Sequence, residues 1–123
     1  MTERGEQAVV TRVMFRKVFE EILGSAGVKV LEYHFRKISS KDLYELLCSD
    51  PKSFYETLTH FFGSGTVSFI RTVASILASK YGLFDEYTPD ELTEILMGKS
   101  KNPPEDLHKI LERSSYLASR GEP

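Results

Sequence analysis

Two short glycine-rich stretches are the first residues of this sequence whose types and spacing suggest chemistry. They read LGSAG at residues 23–27 and FGSGT at residues 62–66. A phosphate-binding loop follows a strand and needs a lysine that reaches the phosphates and a hydroxyl that reaches magnesium. Neither stretch has that lysine, and each follows a segment with helical periodicity. We therefore predict two helix corners, each with a glycine that ends one helix in a left-handed cap and a hydroxyl side chain that caps the next helix, Ser25 at the first corner and Ser64 or Thr66 at the second. The predicted corner residues are Gly24, Ser25, Gly63 and Ser64.

The other groups that could take part in chemistry are dispersed along the chain. His34, His60 and His108 fall in three separate predicted helices. A zinc site would need at least three ligands from such helices to converge. The single cysteine, Cys48, follows two leucines and is predicted to be a buried, unreactive thiol. The serines and paired acids lie at helix starts or on polar faces, so we expect no catalytic residues, no cofactor and no metal.

The composition is that of one globular domain. The 123 residues are 41% hydrophobic and 28% charged, with a formal net charge of -2. The longest mostly apolar stretch, residues 67–78, contains Arg71 and is shorter than the roughly 20 residues that span a bilayer, so no membrane segment is expected. The opening MTERGEQ lacks the features of a secretory signal, and a single cysteine fits a reducing compartment, which favours a cytoplasmic protein.

Apolar residues recur at spacings of three and four along most of the chain, which predicts an all-α fold. We expect a compact bundle of about five core helices, in two helical hairpins joined by a short helix, followed by a two-helix extension. The predicted helices are Gln7–Leu23, Ala26–Lys37, a short helix ending near Cys48, a helix starting at Pro51, Val67–Tyr81, Thr88–Met97, and a last helix from Asn102 to about Ser119. Residues 1–87 would form the core domain, and residues 88–123 would pack either on that core or on a partner subunit.

The second predicted helix should bury one stripe of apolar side chains. The expected buried residues are Val28, Val30, Leu31, Phe35 and Ile38.

A shift of 39 positions aligns the first predicted hairpin with the second. It places Phe15 on Phe54 and Gly24 on Gly63, together with neighbouring apolar positions. The alternative is that any two amphipathic helix pairs joined by glycine would align this well. If the hairpins are related by an approximate twofold axis, the aligned Glu32 and Arg71 would form a partly buried ion pair; otherwise they are unrelated surface charges.

The charges are unevenly distributed and raise the question of nucleic-acid binding. Residues 1–41 hold eight Lys/Arg and five Asp/Glu, whereas residues 42–123 hold eight and thirteen. A basic helical face in the first part could contact phosphates, or it could simply be solvated. The residues of this candidate face are Arg12, Arg16, Lys17, Lys29, Arg36, Lys37 and Lys41.

Aromatic residues in the second part of the chain are candidates for a protein interface, because tyrosine and phenylalanine are enriched there. The alternative for each is ordinary core. The candidate interface residues are Tyr44, Tyr55, Tyr81, Phe84 and Tyr87. The predicted helix 67–81 is apolar around most of its circumference, so it is either the centre of the domain or half of a dimer interface.

The middle of the chain resembles a known family. The runs LGSAGVKVLEYHF and DPKSFYETLTHFFGSGTVSFIRTVASILASKYGL resemble the archaeal Nitrosopumilus-type output domain, a small all-helical family of unknown function. The resemblance covers residues 18–84. The matching positions are Gly24, Pro51, Phe54, Phe62, Gly63, Gly65 and Leu83. This resemblance implies an archaeal, intracellular helical module that acts as an output or adaptor domain in signalling, and it supplies no catalytic residues.

Taken together, these features favour a non-enzymatic interaction or adaptor module, with itself or another regulatory protein as the partner. The alternative is a transcriptional regulator that binds nucleic acid through the basic face.

Overall fold

A computed structural model describes the backbone of residues 2–102 and 105–113, and within those ranges the side chains from residue 9 onward. The described chain is an all-α bundle, as predicted, and contains no strand. Its helices are α1 (Thr2–Ser39), α2 (Leu43–Ser49), α3 (Pro51–Phe62), α4 (Thr66–Tyr81) and α5 (Pro89–Leu96), followed by helical residues 105–113, here α6. A single 3-10 turn at Gly63–Gly65 joins α3 to α4. A second 3-10 turn, Leu83–Asp85, follows α4.

The first helix is bent back on itself at Gly24 into two arms, residues 2–23 and 25–39. Gly24 has φ 79° and ψ 164°, a backbone conformation that favours glycine. The two arms are close, because Nε of Arg16 lies 3.6 Å from Oε2 of Glu32. In a straight helix these residues would be about 24 Å apart along the axis. A helix corner at this place was therefore correctly predicted.

The conformation of the two predicted corners differs from the expected left-handed cap. Gly63 has φ 59° and ψ -130°, so both it and Gly24 have a positive φ but not a left-handed helical ψ. The predicted serine caps are wrong. Gly24 is the only residue within α1 whose backbone is non-helical, so Ser25 is already part of the second arm. Ser64 lies inside a 3-10 turn, and Gly65 precedes α4 without a side-chain cap.

The other helix boundaries follow the local signals in the sequence. Asp50 caps α3 by accepting a hydrogen bond from Ser53 N, with Pro51 at the first helical position. Thr88 and Glu91 form a capping box at the start of α5. Gly82 ends α4 in the left-handed conformation, with φ 66° and ψ 37°.

One buried apolar cluster unites all these helices. It includes Phe15 and Phe19 from the first arm of α1, and Phe54 from α3. Side chains beyond residue 87 belong to the same cluster, through Leu92 of α5 and Ile110 of α6. The described part of the predicted extension therefore packs on the core of its own chain. The predicted end of the last helix, near Ser119, lies outside the described residues.

Helix α4 is part of this core, since Ile70, Val73 and Leu77 are buried. Together with α3 it forms the stretch Pro51–Tyr81, 31 residues that are long and apolar enough to cross a membrane by length and composition alone. The stretch changes direction at Gly63 and contributes buried side chains to the bundle. Core helices of soluble proteins pass the same test, so it is weak evidence for a membrane span.

Candidate functional site

The predicted interface aromatics occupy different environments. Tyr44 is fully buried, so its assignment to an interface is wrong: its ring stacks on Phe19, with 6.1 Å between the ring centroids. Tyr55, Tyr81 and Tyr87 are half-buried and pack against the core. Phe84, in the turn after α4, is 55% exposed. Of the five, it is the side chain best placed for contact with another molecule.

A polar network connects Tyr44, which belongs to α2, with both arms of α1. Its hydroxyl donates a hydrogen bond of 2.6 Å to Oε2 of Glu32. The guanidinium of Arg12 lies over its ring, 4.9 Å from the centroid. Burial, together with the hydrogen bond to the Glu32 carboxylate, raises the pKa of Tyr44 far above its ordinary value. The network therefore keeps this phenol protonated and acts as a structural joint.

The predicted ion pair between Glu32 and Arg71 is contradicted. Glu32 faces Arg16 and Tyr44 within the first part of the chain. Arg71 is largely exposed and lies 3.7 Å from Asp90, at the start of α5. Glu32 thus pairs within its own hairpin, and Arg71 pairs with the adjacent helix α5. The proposed twofold relation between the two hairpins stays a prediction.

The candidate nucleic-acid face is partly neutralised by acids. Asp42 accepts hydrogen bonds from Arg12 at 2.9 Å and from Arg36 at 3.4 Å, and it also caps α2. Arg16 lies within 3.6 Å of both Glu20 and Glu32. All three arginines of the set are thus engaged with carboxylates, whereas its lysines are exposed. These lysines are Lys17, Lys29, Lys37 and Lys41.

An exposed apolar patch on the second arm of α1 was missed in the sequence analysis. Val30 and Ile38, expected in the core, are about half exposed, because Val28, Leu31 and Phe35 form the buried stripe. Tyr33 is 61% exposed, and the neighbouring His34 is also exposed. The arm thus has exposed apolar side chains, spaced by three and four residues, beside its buried stripe.

The neighbouring helix α3 extends this patch. The Phe61 ring is 38% exposed, and its centroid lies 5.7 Å from that of His34. His34 in turn contacts the ring of Tyr33 edge to face, at 5.4 Å. We call this patch the Tyr33 surface. It consists of Val30, Tyr33, His34, Ile38 and Phe61.

Ring contacts connect the Tyr33 surface with the core. Phe61 packs edge to face on Phe62, and Phe62 stacks on Phe69 at 4.4 Å between centroids. Phe69 contacts Phe19, the ring on which Tyr44 stacks. Because Phe62, which stacks on Phe69, supports the Phe61 ring from one side, burying Phe61 against a partner costs less side-chain entropy than burying an unsupported ring.

The described residues contain no group of three His, Cys, Asp or Glu side chains placed to hold a metal ion. Cys48 is buried, as predicted.

The fold and these surfaces define a small all-α bundle with an exposed aromatic and aliphatic face bordered by lysines. Comparison with models of known families, with curated proteins and with solved structures finds no match. The resemblance to the output domain family therefore stays a prediction.

Proposed function

We propose that this chain is a non-enzymatic interaction module that binds a protein, either a second copy or another regulatory protein, through the Tyr33 surface. The observation that carries the proposal is the exposure of this contiguous patch on an otherwise well-packed bundle. Single exposed apolar side chains are normal on protein surfaces, whereas contiguous patches mark interaction sites.

The make-up of the Tyr33 surface fits recognition of a protein. Val30 and Ile38 lie one helical turn before and after His34, so aliphatic side chains extend the aromatic group along the arm. Exposed lysines border it, with Lys29 beside Val30 and Lys37 beside Ile38. An apolar centre with a charged rim is the usual arrangement of a protein interface. The resemblance to the output domain family adds the proposal that the module works in signalling inside an archaeal cell.

Binding of nucleic acid is the weaker candidate. Base stacking needs open ring faces, but Nζ of Lys37 lies over the Tyr33 ring at 5.7 Å, and Phe61 lies between His34 and Phe62. The aliphatic side chains of the patch offer no stacking surface. The engaged arginines also leave fewer free cations for phosphate contacts.

Photo-crosslinking in the source cells tests the proposal. Tyr33 is replaced by p-benzoylphenylalanine, and the matched control carries the same group at Thr72, an exposed position on α4. We expect irradiation to join position 33, but not position 72, to a discrete protein. Ile38→Asp in the same chain should abolish that product, because it places a charge inside the contact.

Two results would refute the proposed function. One is crosslinking from position 33 to nucleic acid alone. The other is a pattern that is the same at both positions, including no product at either.

A further inference from the structure

We propose that the partner of the Tyr33 surface is the Phe84 region of a second copy of this chain, so that copies associate head to tail. This inference rests on the proposed function and names its partner. The Phe84 region is residues 82–94, which include the turn after α4 and most of α5.

The two regions carry opposite charge. Residues 25–41, which include most of the Tyr33 surface, have four Lys/Arg and one acid, Glu32. Arg36 is paired with Asp42, so the charge that this region offers comes from its three lysines. The carboxylate of Glu32 is engaged by Tyr44 and Arg16.

Residues 82–94 have five Asp/Glu and no Lys/Arg. Two of these acids are paired with arginines outside the region, Glu86 with Arg113 at 2.7 Å and Asp90 with Arg71 at 3.7 Å. In the part of the chain that the structure describes, the acids of this region without an arginine partner are Asp85, Glu91 and Glu94. Surfaces of opposite charge steer association and exclude like-charged pairings, such as two Tyr33 surfaces facing each other.

The two regions are also complementary in their apolar groups. Phe84 is the exposed aromatic ring of the acidic region, and it stands next to the exposed Asp85 and to Glu86, whose carboxylate is paired with Arg113. The Tyr33 surface offers aromatic and aliphatic side chains with lysines at its border. A single phenylalanine inserted among such side chains, with charges around it, is the common arrangement of an interface anchor.

One copy cannot make this contact with itself. Phe61 stands at the end of α3, next to the start of α4, whereas Phe84 follows the end of α4. The 16 residues of α4 hold these two ends about 24 Å apart. The pairing therefore requires a second molecule.

When the Tyr33 surface of one copy binds the Phe84 region of another, the resulting pair still has one free Tyr33 surface and one free Phe84 region. Such heterologous contacts continue into rings or open chains. The molar mass of the wild-type chain in solution should therefore rise with concentration beyond that of a dimer. It should fall when salt is added, because salt screens the exposed charges.

Complementary variants of the purified chain test this pairing by light scattering after size exclusion. Tyr33→Ser blocks one surface and Phe84→Ser blocks the other, and both side chains are more than half exposed. We expect each variant alone to be monomeric, and an equimolar mixture to form a dimer that grows no further. Val13→Ser, at a half-exposed position on the first arm of α1, is the matched control and should assemble as the wild type does.

Three results would overturn the head-to-tail pairing: a wild-type chain that stays monomeric at all concentrations, a Tyr33→Ser variant that assembles normally, or a mixture of the two variants that remains monomeric. A monomeric wild type whose position 33 still crosslinks to a different protein would remove this inference alone. If position 33 also fails to crosslink to protein, the proposed function fails as well.

Discussion

At the scale of single residues, the positions of polar side chains depend on which of them find hydrogen-bond partners inside the apolar bundle. Tyr44 was expected at an interface, but it is buried, and its hydroxyl donates a hydrogen bond from α2 to Glu32 on the second arm of α1. A tyrosine has a large apolar ring with one polar atom, so it is buried when that atom finds a partner. The sequence could not predict this partner, because Glu32 is 12 residues away and reaches Tyr44 only after the chain turns between the end of α1 at Ser39 and the start of α2 at Leu43.

The Tyr44 joint predicts a specific dependence of stability on pH. The folded chain holds the pKa of Tyr44 above its ordinary value, so this contribution is fully present below about pH 10 and is lost as the pH rises further. The free energy of unfolding should fall above that pH by up to about 1.4 kcal/mol per pH unit from this group. Denaturant titrations at pH 8 and pH 11 measure it.

Tyr44→Phe is the matched variant for that measurement. At pH 8 it should cost about 1–3 kcal/mol, because the Glu32 carboxylate loses a buried hydrogen-bond donor. Between pH 8 and pH 11 it should lose less stability than the wild type, which alone has a phenol to ionise at this position. Equal losses in the two proteins would show that Tyr44 is not held protonated.

At the scale of helices, the sequence predicts most boundaries and fails where two apolar stripes share one helix. Asp50 with Pro51, and Thr88 with Glu91, are local signals that need no tertiary information. The second arm of α1 has apolar residues on two sides, and periodicity alone does not say which stripe the core covers. Phe35 is buried as predicted, whereas Val30 and Ile38, also expected in the core, are exposed because of where the other helices pack.

The loss of stability from glycine-to-alanine substitutions at helix ends and corners should follow the backbone φ of each glycine and the room available for an added Cβ. At Gly24 an added Cβ meets nothing within 4 Å, so Gly24→Ala should cost about 1–2 kcal/mol from its positive φ alone. At Gly98, with φ 74°, it would lie 2.4 Å from the Lys52 backbone, which should make Gly98→Ala the most destabilising of the series.

Gly65→Ala is the control for this series. Gly65 has φ -83° and open space around it, so the change should be neutral or slightly stabilising. Urea unfolding of the three variants gives the order. A Gly65→Ala variant as unstable as Gly24→Ala would show that backbone strain is not the cause. The close approach of Gly98 to Lys52 is a tertiary contact that no local pattern predicts.

At the scale of the whole molecule, one core joins both predicted parts of the chain, whereas the charged residues on the surface are unevenly distributed between those parts. The basic early residues include most of the Tyr33 surface, and the acidic later residues include the Phe84 region. The sequence showed this uneven charge and named Phe84 as a candidate contact, but the Tyr33 surface became visible only once the buried stripe of α1 was known. The central claim is that the exposed apolar side chains of the second arm of α1 serve association and not folding.

Hydrogen exchange of the purified wild-type chain, followed by peptide at low and high protein concentration, tests that claim most directly. Amides that become covered or stabilised at an interface exchange more slowly. We predict slower exchange at high concentration in residues 25–39 and 82–94, and no change in the first arm of α1 around Val13. Exchange that does not depend on concentration in residues 25–39, or protection confined to other helices, would contradict the account.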